Sequence, residues 1–248
     1  DSIDLDDWMK IYCEARYGGY PDAMEEAWKL FRKTAYSSLY SYPRFTWQTV
    51  IPDQRRISKI DLSDDYLQAI RLYASCADEL KSSELYRNDL IEFVSYYVAA
   101  KAENFYKQAL KDDSENRVLA AQRNLQQTVD LLMDVDKLLA SHPLYRLEEW
   151  VELARNSGTT LQEKDAYEAN AKRLITSWGG IQEDYAARFW SGLIKDYYIP
   201  RIQLYFTKDR NKIREWEEQW ITSPWSNSTT PFDDPVKAAL NLIEKTNK

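Results

Sequence analysis

Apolar residues recur at intervals of three and four along nearly the whole chain, and this spacing places side chains on one face of an α-helix. The pattern predicts helices at about 5–17, 21–40, 63–80, 83–111, 113–141, 143–156, 160–178, within 176–201, and at 210–221 and 235–245. No heptad or longer repeat persists, so neither a coiled coil nor a solenoid is supported. We therefore predict an all-α fold, an irregular bundle of eight to ten helices forming one domain over residues 1–248.

The helical pattern breaks between residues 41 and 63, where two prolines occur. The apolar residues Phe45, Trp47, Val50 and Ile51 argue against disorder, so we expect a long ordered loop. In the first helix, Trp8, Ile11, Tyr12 and Ala15 are expected to share one face.

The segment 176–201 is the most aromatic part of the chain and predicts a buried helix. Its apolar rows are Tyr185, Phe189, Leu193 and Tyr197, and beside them Trp190, Ile194 and Tyr198. Gly192 would permit close approach of a neighbouring helix, and Pro200 predicts a kink or the helix end. The Trp-Gly-Gly turn that precedes this helix is expected to need positive φ.

Composition narrows the classes of partner. A net charge of −7 with scattered Lys and Arg argues against nucleic acid, and no apolar run is long enough to predict a membrane span. Cys13 and Cys76 lie in helical patterns and are expected to be buried free thiols. With His142 as the one histidine, we expect no metal site and no cofactor.

Motifs typical of catalytic sites are missing, including phosphate loops and nucleophile elbows. Most of the adjacent acid pairs are expected at helix starts or in solvent: Asp64–Asp65, Glu25–Glu26, Asp112–Asp113 and Glu217–Glu218. Neighbours on a helix point about 100° apart and cannot face a common substrate. We expect no catalytic residue in this chain.

Arg87 and Asp89 stand out at the predicted start of a helix, where backbone N–H groups favour a polar or anionic ligand. They fit either a cap with a local ion pair, or a contact to a sugar hydroxyl or a neighbouring domain. Trp178 similarly fits a ring that pins a helix end into the core, or one that contacts a ligand.

Several segments together resemble one known family. They are "WMKIYCEARYGGYPDAMEEAWKLFRKTAY", "YRNDLIEFVSYY", "LEEWVELARN" with "YEANAKRLITSWG", and "DYAARFWSGLIKDYYIPR". In order and spacing they are similar to the C-terminal helical domain of the α-N-acetylglucosaminidases, glycoside hydrolase family 89. The resemblance covers about Trp8 to Phe206.

This resemblance implies an exo-acting hydrolase of terminal α-linked N-acetylglucosamine, in which the helical domain packs on a catalytic (β/α)8 barrel and walls the sugar pocket. The family's two catalytic glutamates lie on the barrel, and no segment here resembles their motifs, so the chain is expected to be inactive alone. The implied substrate contacts are Asp89 to a hydroxyl, Arg87 as a polar contact, and Trp178 as an apolar one. A non-cytosolic location is also implied: periplasmic or secreted in bacteria, lysosomal in animals.

A second function remains open at this point. An independent helical module whose exposed aromatic residues hold a carbohydrate or a protein partner would have a similar composition.

Overall fold

A computed structural model describes residues 3–37, 45–49, 63–178, 186–207, 209–225 and 228–246 of the chain. Its α-helices are α1 (Leu5–Tyr17), α2 (Asp22–Lys33), α3 (Asp64–Ser75), α4 (Ala77–Leu80), α5 (Glu84–Ser114), α6 (Val118–Leu139), α7 (Leu147–Asn156), α8 (Leu161–Leu174), α9 (Ile199–Phe206), α10 (Arg210–Thr222) and α11 (Pro235–Lys245). The all-α fold is confirmed, and the described residues contain no β-strand. The described residues form eleven α-helices, one more than the highest number predicted. The additional helix arises because the one predicted over residues 63–80 is divided at Cys76 into α3 and α4.

The helices form two compact units. The first contains α1 to α4, α5 as far as Ala100, and α11, and the second contains residues 44–57 and 101–232. The single domain over residues 1–248 stays a prediction.

Helix α1 begins and ends as its sequence indicates. The Asp4 side chain accepts hydrogen bonds from the first backbone N–H groups, and Gly18 ends the helix at φ +85°. Trp8 and Tyr12 do share a face, since their rings stack at 5.3 Å. The side that packs is another one, however, because the buried residues are Met9, Cys13 and Tyr17, while Trp8 is 48 % exposed. The apolar residues of α1 lie on more than one side of the helix, so their spacing alone does not identify the side that packs.

The core of the first unit is aromatic. Phe31 of α2 lies 4.7 Å from Phe93 of α5 between ring centroids, and Tyr73 of α3 lies 5.2 Å from the same ring. Cys13 and Cys76 are buried free thiols, as predicted. Burial raises the pKa of the Cys13 thiol to about 12 and that of Cys76 to about 11.

In the second unit, the predicted helix within 176–201 begins later than expected. Residues 187–190 are not helical, and Gly192 adopts φ +83° immediately before the helix starts. The carboxylate of Asp136 on α6 accepts hydrogen bonds from the Gly192 N–H at 2.8 Å and the Lys195 N–H at 3.0 Å. A side chain from another helix therefore caps this one and fixes its first turn.

Gly192 also permits the close approach that its sequence suggested. A Cβ atom there would lie 3.2 Å from Leu147 Cβ and 3.1 Å from Trp225 Cζ2. Pro200 neither ends the helix nor follows a regular α-helical turn. The preceding residues Ile194–Tyr198 form a π-helical segment, in which the Ile199 N–H bonds to the Ile194 carbonyl. Pro200 has no N–H to donate to the helix. The chain passes this position through the wider π-helical turn, and α9 continues to Phe206.

Tyr197, Tyr198 and Arg201 pack in the core, as expected. Arg201 is 2 % exposed and donates to Glu217 Oε1 at 3.1 Å and to the Gln48 carbonyl at 2.7 Å. Glu217 is therefore a buried structural acid, not one in solvent or at a helix start.

Asp112 is the second acid that the expectation misplaced. It is buried, and it accepts hydrogen bonds from Arg117 Nε at 3.0 Å and Asn124 Nδ2 at 2.8 Å. Its hydrogen bond to Arg117 lowers the pKa of Asp112. Periodicity had assigned these acids to the surface because their partners are distant in sequence or lie beyond the helix end.

Some expectations lie outside the described residues: most of the loop 41–63, the Gly179-Gly180 turn and Tyr185. Within the 41–63 segment, Phe45 and Trp47 are described and are fully buried. Among the described helices, none is both long and apolar enough to cross a bilayer.

Candidate functional site

Asp89 lies on α5, and its carboxylate is held by two residues of α1. Arg16 donates from Nε to Oδ2 at 2.7 Å and from Nη2 to Oδ1 at 2.6 Å, a bidentate pair. The Tyr17 hydroxyl donates to Oδ2 at 2.6 Å. Asp89 is 8 % exposed. It therefore forms a long-range ion pair, not a local one.

These bonds limit what else Asp89 can contact. A carboxylate accepts about four hydrogen bonds, and three of these positions are filled by Arg16 and Tyr17. Burial and the nearby Asp89 charge raise the pKa of Tyr17 well above its ordinary value, so its hydroxyl remains a donor. Among the described residues no further donor bonds to this carboxylate, so one acceptor position, on Oδ1, remains.

Tyrosine rings support this pair from the buried side. Tyr17 makes edge-on contacts with Tyr73 at 5.9 Å and with Tyr86 at 6.0 Å between centroids. Tyr73 and Tyr86 stack at 4.9 Å, and the Tyr86 hydroxyl donates to the Tyr73 carbonyl at 2.7 Å. The rings fix Tyr17, and through it the Asp89 carboxylate.

Arg87 is close to Asp89 in sequence but has a different role in the structure. Its Nη1 donates to the carbonyls of Lys81 at 2.7 Å and Ser82 at 3.1 Å. It thereby satisfies backbone groups in the turn that connects α4 to α5. The residue is half-buried.

Sequence reasoning missed Arg16, the polar group next to Asp89 with the greater exposure. Its side chain is 32 % exposed, against 11 % for Asp89, and its guanidinium lies 5.9 Å from the centroid of the Tyr12 ring. The available signal was a basic residue in the last turn of α1, but 73 positions separate it from Asp89.

Trp178 lies in the second unit, in the turn after α8, and is 39 % exposed. The ring is thus neither fully buried in the core nor fully in solvent. It belongs to a different unit from Arg87 and Asp89.

A groove of about 370 Å³ runs along α7 and α8 in the same unit as Trp178. Trp150, Leu153, Tyr167 and Asn170 are among its lining residues. The Trp150 Nε1–H donates to the Ala171 carbonyl at 2.9 Å, which holds this ring against α8. Tyr167 and Asn170 of the "YEAN" run therefore face one open groove.

Glu168, between them in sequence, is buried. Its Oε2 accepts from Arg155 at 2.6 Å, and its Oε1 accepts from Lys172 at 3.1 Å and from the Trp225 N–H at 2.5 Å. The "YEAN" run thus presents two residues to the groove and places one in a structural ion cluster. Among the described residues, no group of His, Cys, Asp and Glu side chains could hold a metal ion.

Comparison with known proteins gives a consistent result. A family model described as "Alpha-N-acetylglucosaminidase (NAGLU) C-terminal domain" matches residues 8–245. Human alpha-N-acetylglucosaminidase is 29% identical over an alignment of 274 residues, gaps included. The alignment covers 98% of this chain and 36% of the human protein.

Solved structures of a family 89 glycoside hydrolase from Clostridium perfringens share the fold. The complex with PUGNAc has a TM-score of 0.85 at 22% identity, covering 98% of this chain and 32% of that chain. The complex with GlcNAc-alpha-1,4-galactose has a TM-score of 0.84. This chain thus spans about a third of the length of the relatives that it matches.

Proposed function

Because this chain belongs to the family of α-N-acetylglucosaminidase C-terminal domains, we propose that it works as the helical C-terminal part of a glycosidase that removes terminal α-linked N-acetylglucosamine from glycans. The observation that carries the proposal is the family match over residues 8–245. Relatives of about three times this length support a catalytic partner domain outside the chain.

In this proposal the chain packs on a catalytic (β/α)8 barrel of the same enzyme and contributes to the wall of the sugar pocket. It supplies no catalytic carboxylate. A retaining glycosidase needs two carboxyl groups about 5–5.5 Å apart on either side of the scissile bond. The buried acids Asp89, Glu168 and Glu217 each bond to a basic side chain, which supports structural roles for them.

The proposed glycan contacts keep the roles that the sequence indicated. Asp89 accepts a sugar hydroxyl on the remaining position of Oδ1, and Arg87 donates from its guanidinium. Trp178 offers a half-exposed ring to an apolar face of the glycan. We add Arg16, since its guanidinium is oriented by Asp89 and its side chain is 32 % exposed.

Hydrolysis of an aryl α-N-acetylglucosaminide tests the proposal. The 248-residue chain alone should release no more aryl alcohol than buffer, and the complete gene product should turn the substrate over. Turnover by the chain alone would refute its non-catalytic role, and an inactive complete product would refute the glycosidase assignment.

Variants of the complete gene product test the glycan contacts. Trp178→Ala should lower kcat/KM by about tenfold or more, the loss expected for one aromatic contact of ~1.4 kcal/mol or above. The matched control is Phe105→Ala, which removes a partly exposed aromatic ring in the same unit as Trp178 and should leave kcat/KM unchanged. Equal kcat/KM values for the two variants would remove Trp178 from the site. A non-cytosolic location is part of the proposal, and fractionation of the native host tests it.

A further inference from the structure

A second concave feature of the second unit lies beside α9 and α10. This pocket has a volume of about 270 Å³, and three tryptophan rings line it: Trp216, Trp220 and Trp225. The rings of Trp216 and Trp220 lie 5.5 and 4.7 Å from the buried ring of Tyr197 between centroids. Contact with Tyr197 holds both rings in place, so the aromatic walls of the pocket are fixed by the core behind them.

Lys172 closes the buried end of the pocket and is fully engaged there. Its Nζ donates to the Trp220 carbonyl at 2.9 Å, to the Ser223 carbonyl, and to Glu168 Oε1 at 3.1 Å. An ammonium group has three donors, and all are used. Lys172 therefore caps the end of α10 and fixes the turn that carries Trp225, leaving ligand binding to other groups.

Two polar side chains at the pocket are less committed. Lys195 Nζ makes only long contacts among the described residues, 3.5 Å to Thr229 Oγ1 and 3.9 Å to Asp196 Oδ1. From the described part of the chain, Asp196 accepts one hydrogen bond of ordinary length, from Trp225 Nε1 at 3.2 Å to Oδ2. The pocket thus offers one donor group and one acceptor group with remaining capacity.

The charges restrict the class of ligand. A quaternary ammonium ion suits an aromatic cage, but the ammonium groups of Lys172 and Lys195 would repel it. An anion would meet the carboxylate of Asp196 and find the donors of Lys172 occupied. A neutral polyhydroxyl ring avoids both penalties, since its C–H faces pack on indoles and its hydroxyls bond to Lys195 and Asp196.

The volume of the pocket restricts the size of the ligand. Pockets that hold drug-sized ligands measure roughly 300–1,000 Å³, and this one lies just below that range. We propose that the pocket formed by Trp216, Trp220, Trp225, Lys195 and Asp196 binds a single neutral pyranose ring. This inference is independent of the proposed roles of Asp89, Arg87 and Trp178.

Titration of the 248-residue chain with methyl α-D-glucopyranoside and, separately, N-acetylglucosamine tests the proposal by NMR of the indole N–H groups. At least one of these pyranosides should shift the resonances of Trp216, Trp220 and Trp225 in a saturable manner, with assignments taken from Trp→Phe variants. Asp196→Asn and Lys195→Gln should each weaken binding by about tenfold, as expected for loss of one hydrogen bond to a charged group. The dispersion of each variant's spectrum reports whether it is folded.

Trp8→Ala is the control, since it removes an exposed indole in the other unit and should leave the affinity unchanged. Tetramethylammonium chloride is the competing probe. The proposal would be overturned if neither pyranoside gave saturable indole shifts at roughly 100 mM, a concentration that fills a ~10 mM site. Saturable shifts with tetramethylammonium in place of the sugars, or undiminished sugar binding by both rim variants, would overturn it as well.

Discussion

Replacing Asp89 with Asn should destabilise the first unit by about 2–3 kcal/mol. The substitution keeps the shape of the side chain but removes the charge that accepts two hydrogen bonds from Arg16 and one from Tyr17. Hydrogen bonds to charged groups contribute about 1.5–3 kcal/mol each, and breaking a fully buried pair costs about 3–5 kcal/mol. The Arg16 side chain is 32 % exposed, so water partly solvates it once the pair is lost. The expected cost is therefore about 2–3 kcal/mol, below the range for a fully buried pair.

A double-mutant cycle separates the pair from other effects of the substitutions. Urea unfolding of the unmodified chain, Asp89→Asn, Arg16→Gln and the double variant gives the coupling energy, which should reach about 1–3 kcal/mol. The matched control is the cycle of Asp78→Asn with Lys81→Gln, a pair in the same unit whose side chains are 97 % and 58 % exposed. Its coupling should stay below about 0.5 kcal/mol.

Equal coupling energies in the two cycles would contradict a stabilising role for the Asp89–Arg16 pair. That result would mean that solvent screens the Asp89 pair as thoroughly as the exposed one, and that the tyrosine rings fix this site without it. A changed urea dependence (m-value) in Asp89→Asn would instead show that the variant alters the denatured state, and stability would then be taken from the cycle alone.

Three other changes should have measurable effects. Gly192→Ala should cost about 2–4 kcal/mol in urea unfolding, because it combines a positive φ with overpacking, whereas Gly18→Ala, with positive φ and nothing within 4 Å of the new Cβ, should cost about 1–2 kcal/mol; equal costs would contradict the overpacking. Arg201→Met leaves a buried carboxylate unpaired and should cost about 3–5 kcal/mol, against less than about 1 kcal/mol for Arg173→Met at an exposed pair. Hydrogen bonds from the hydroxyl and N–H groups preceding α8 lower the pKa of Glu163 from 4.5 to about 2, so its contribution to stability is present above pH 4.5 and is lost as the pH falls through 2. Glu163→Gln should therefore weaken the dependence of the urea midpoint on pH between pH 5 and 2. An unchanged pH dependence would contradict the lowered pKa of Glu163.

The helices themselves were predictable from the sequence, because each depends on local spacing and local caps. Ser63 illustrates this, since its hydroxyl oxygen accepts the Tyr66 N–H at the start of α3, as the residue types there suggested. The capping box at Thr160 and Glu163 at the start of α8 is another local signal of this kind.

The start of the helix after Gly192 could not be predicted in this way. Its first turn is set by Asp136, which lies 56 positions earlier on another helix. The apolar row from Phe189 to Tyr197 continues across that boundary, so periodicity extended the helix too far. The partners of Asp89 were hidden for the same reason, since contacts between distant positions leave no trace in local spacing.

Buried carboxylates position the candidate binding groups of this chain. Asp89 orients Arg16, which carries the more exposed charge of that pair. Asp136 accepts the backbone N–H of Lys195 and so sets where this side chain leaves its helix. Both acids thus act on a neighbouring basic residue whose side chain is partly exposed, 32 % for Arg16 and 27 % for Lys195.

Glu168 does the same for an aromatic group. Its Oε1 accepts the Trp225 N–H, and its bond to Lys172 places the ammonium group that caps the end of α10. An apolar core would leave such loop ends free to shift, whereas a carboxylate with several fixed donors holds them in one arrangement. Affinity in a preformed site is gained mainly by avoiding the entropy cost of ordering it. Substituting these acids should therefore weaken binding at the neighbouring groups even where the acid itself never touches a ligand.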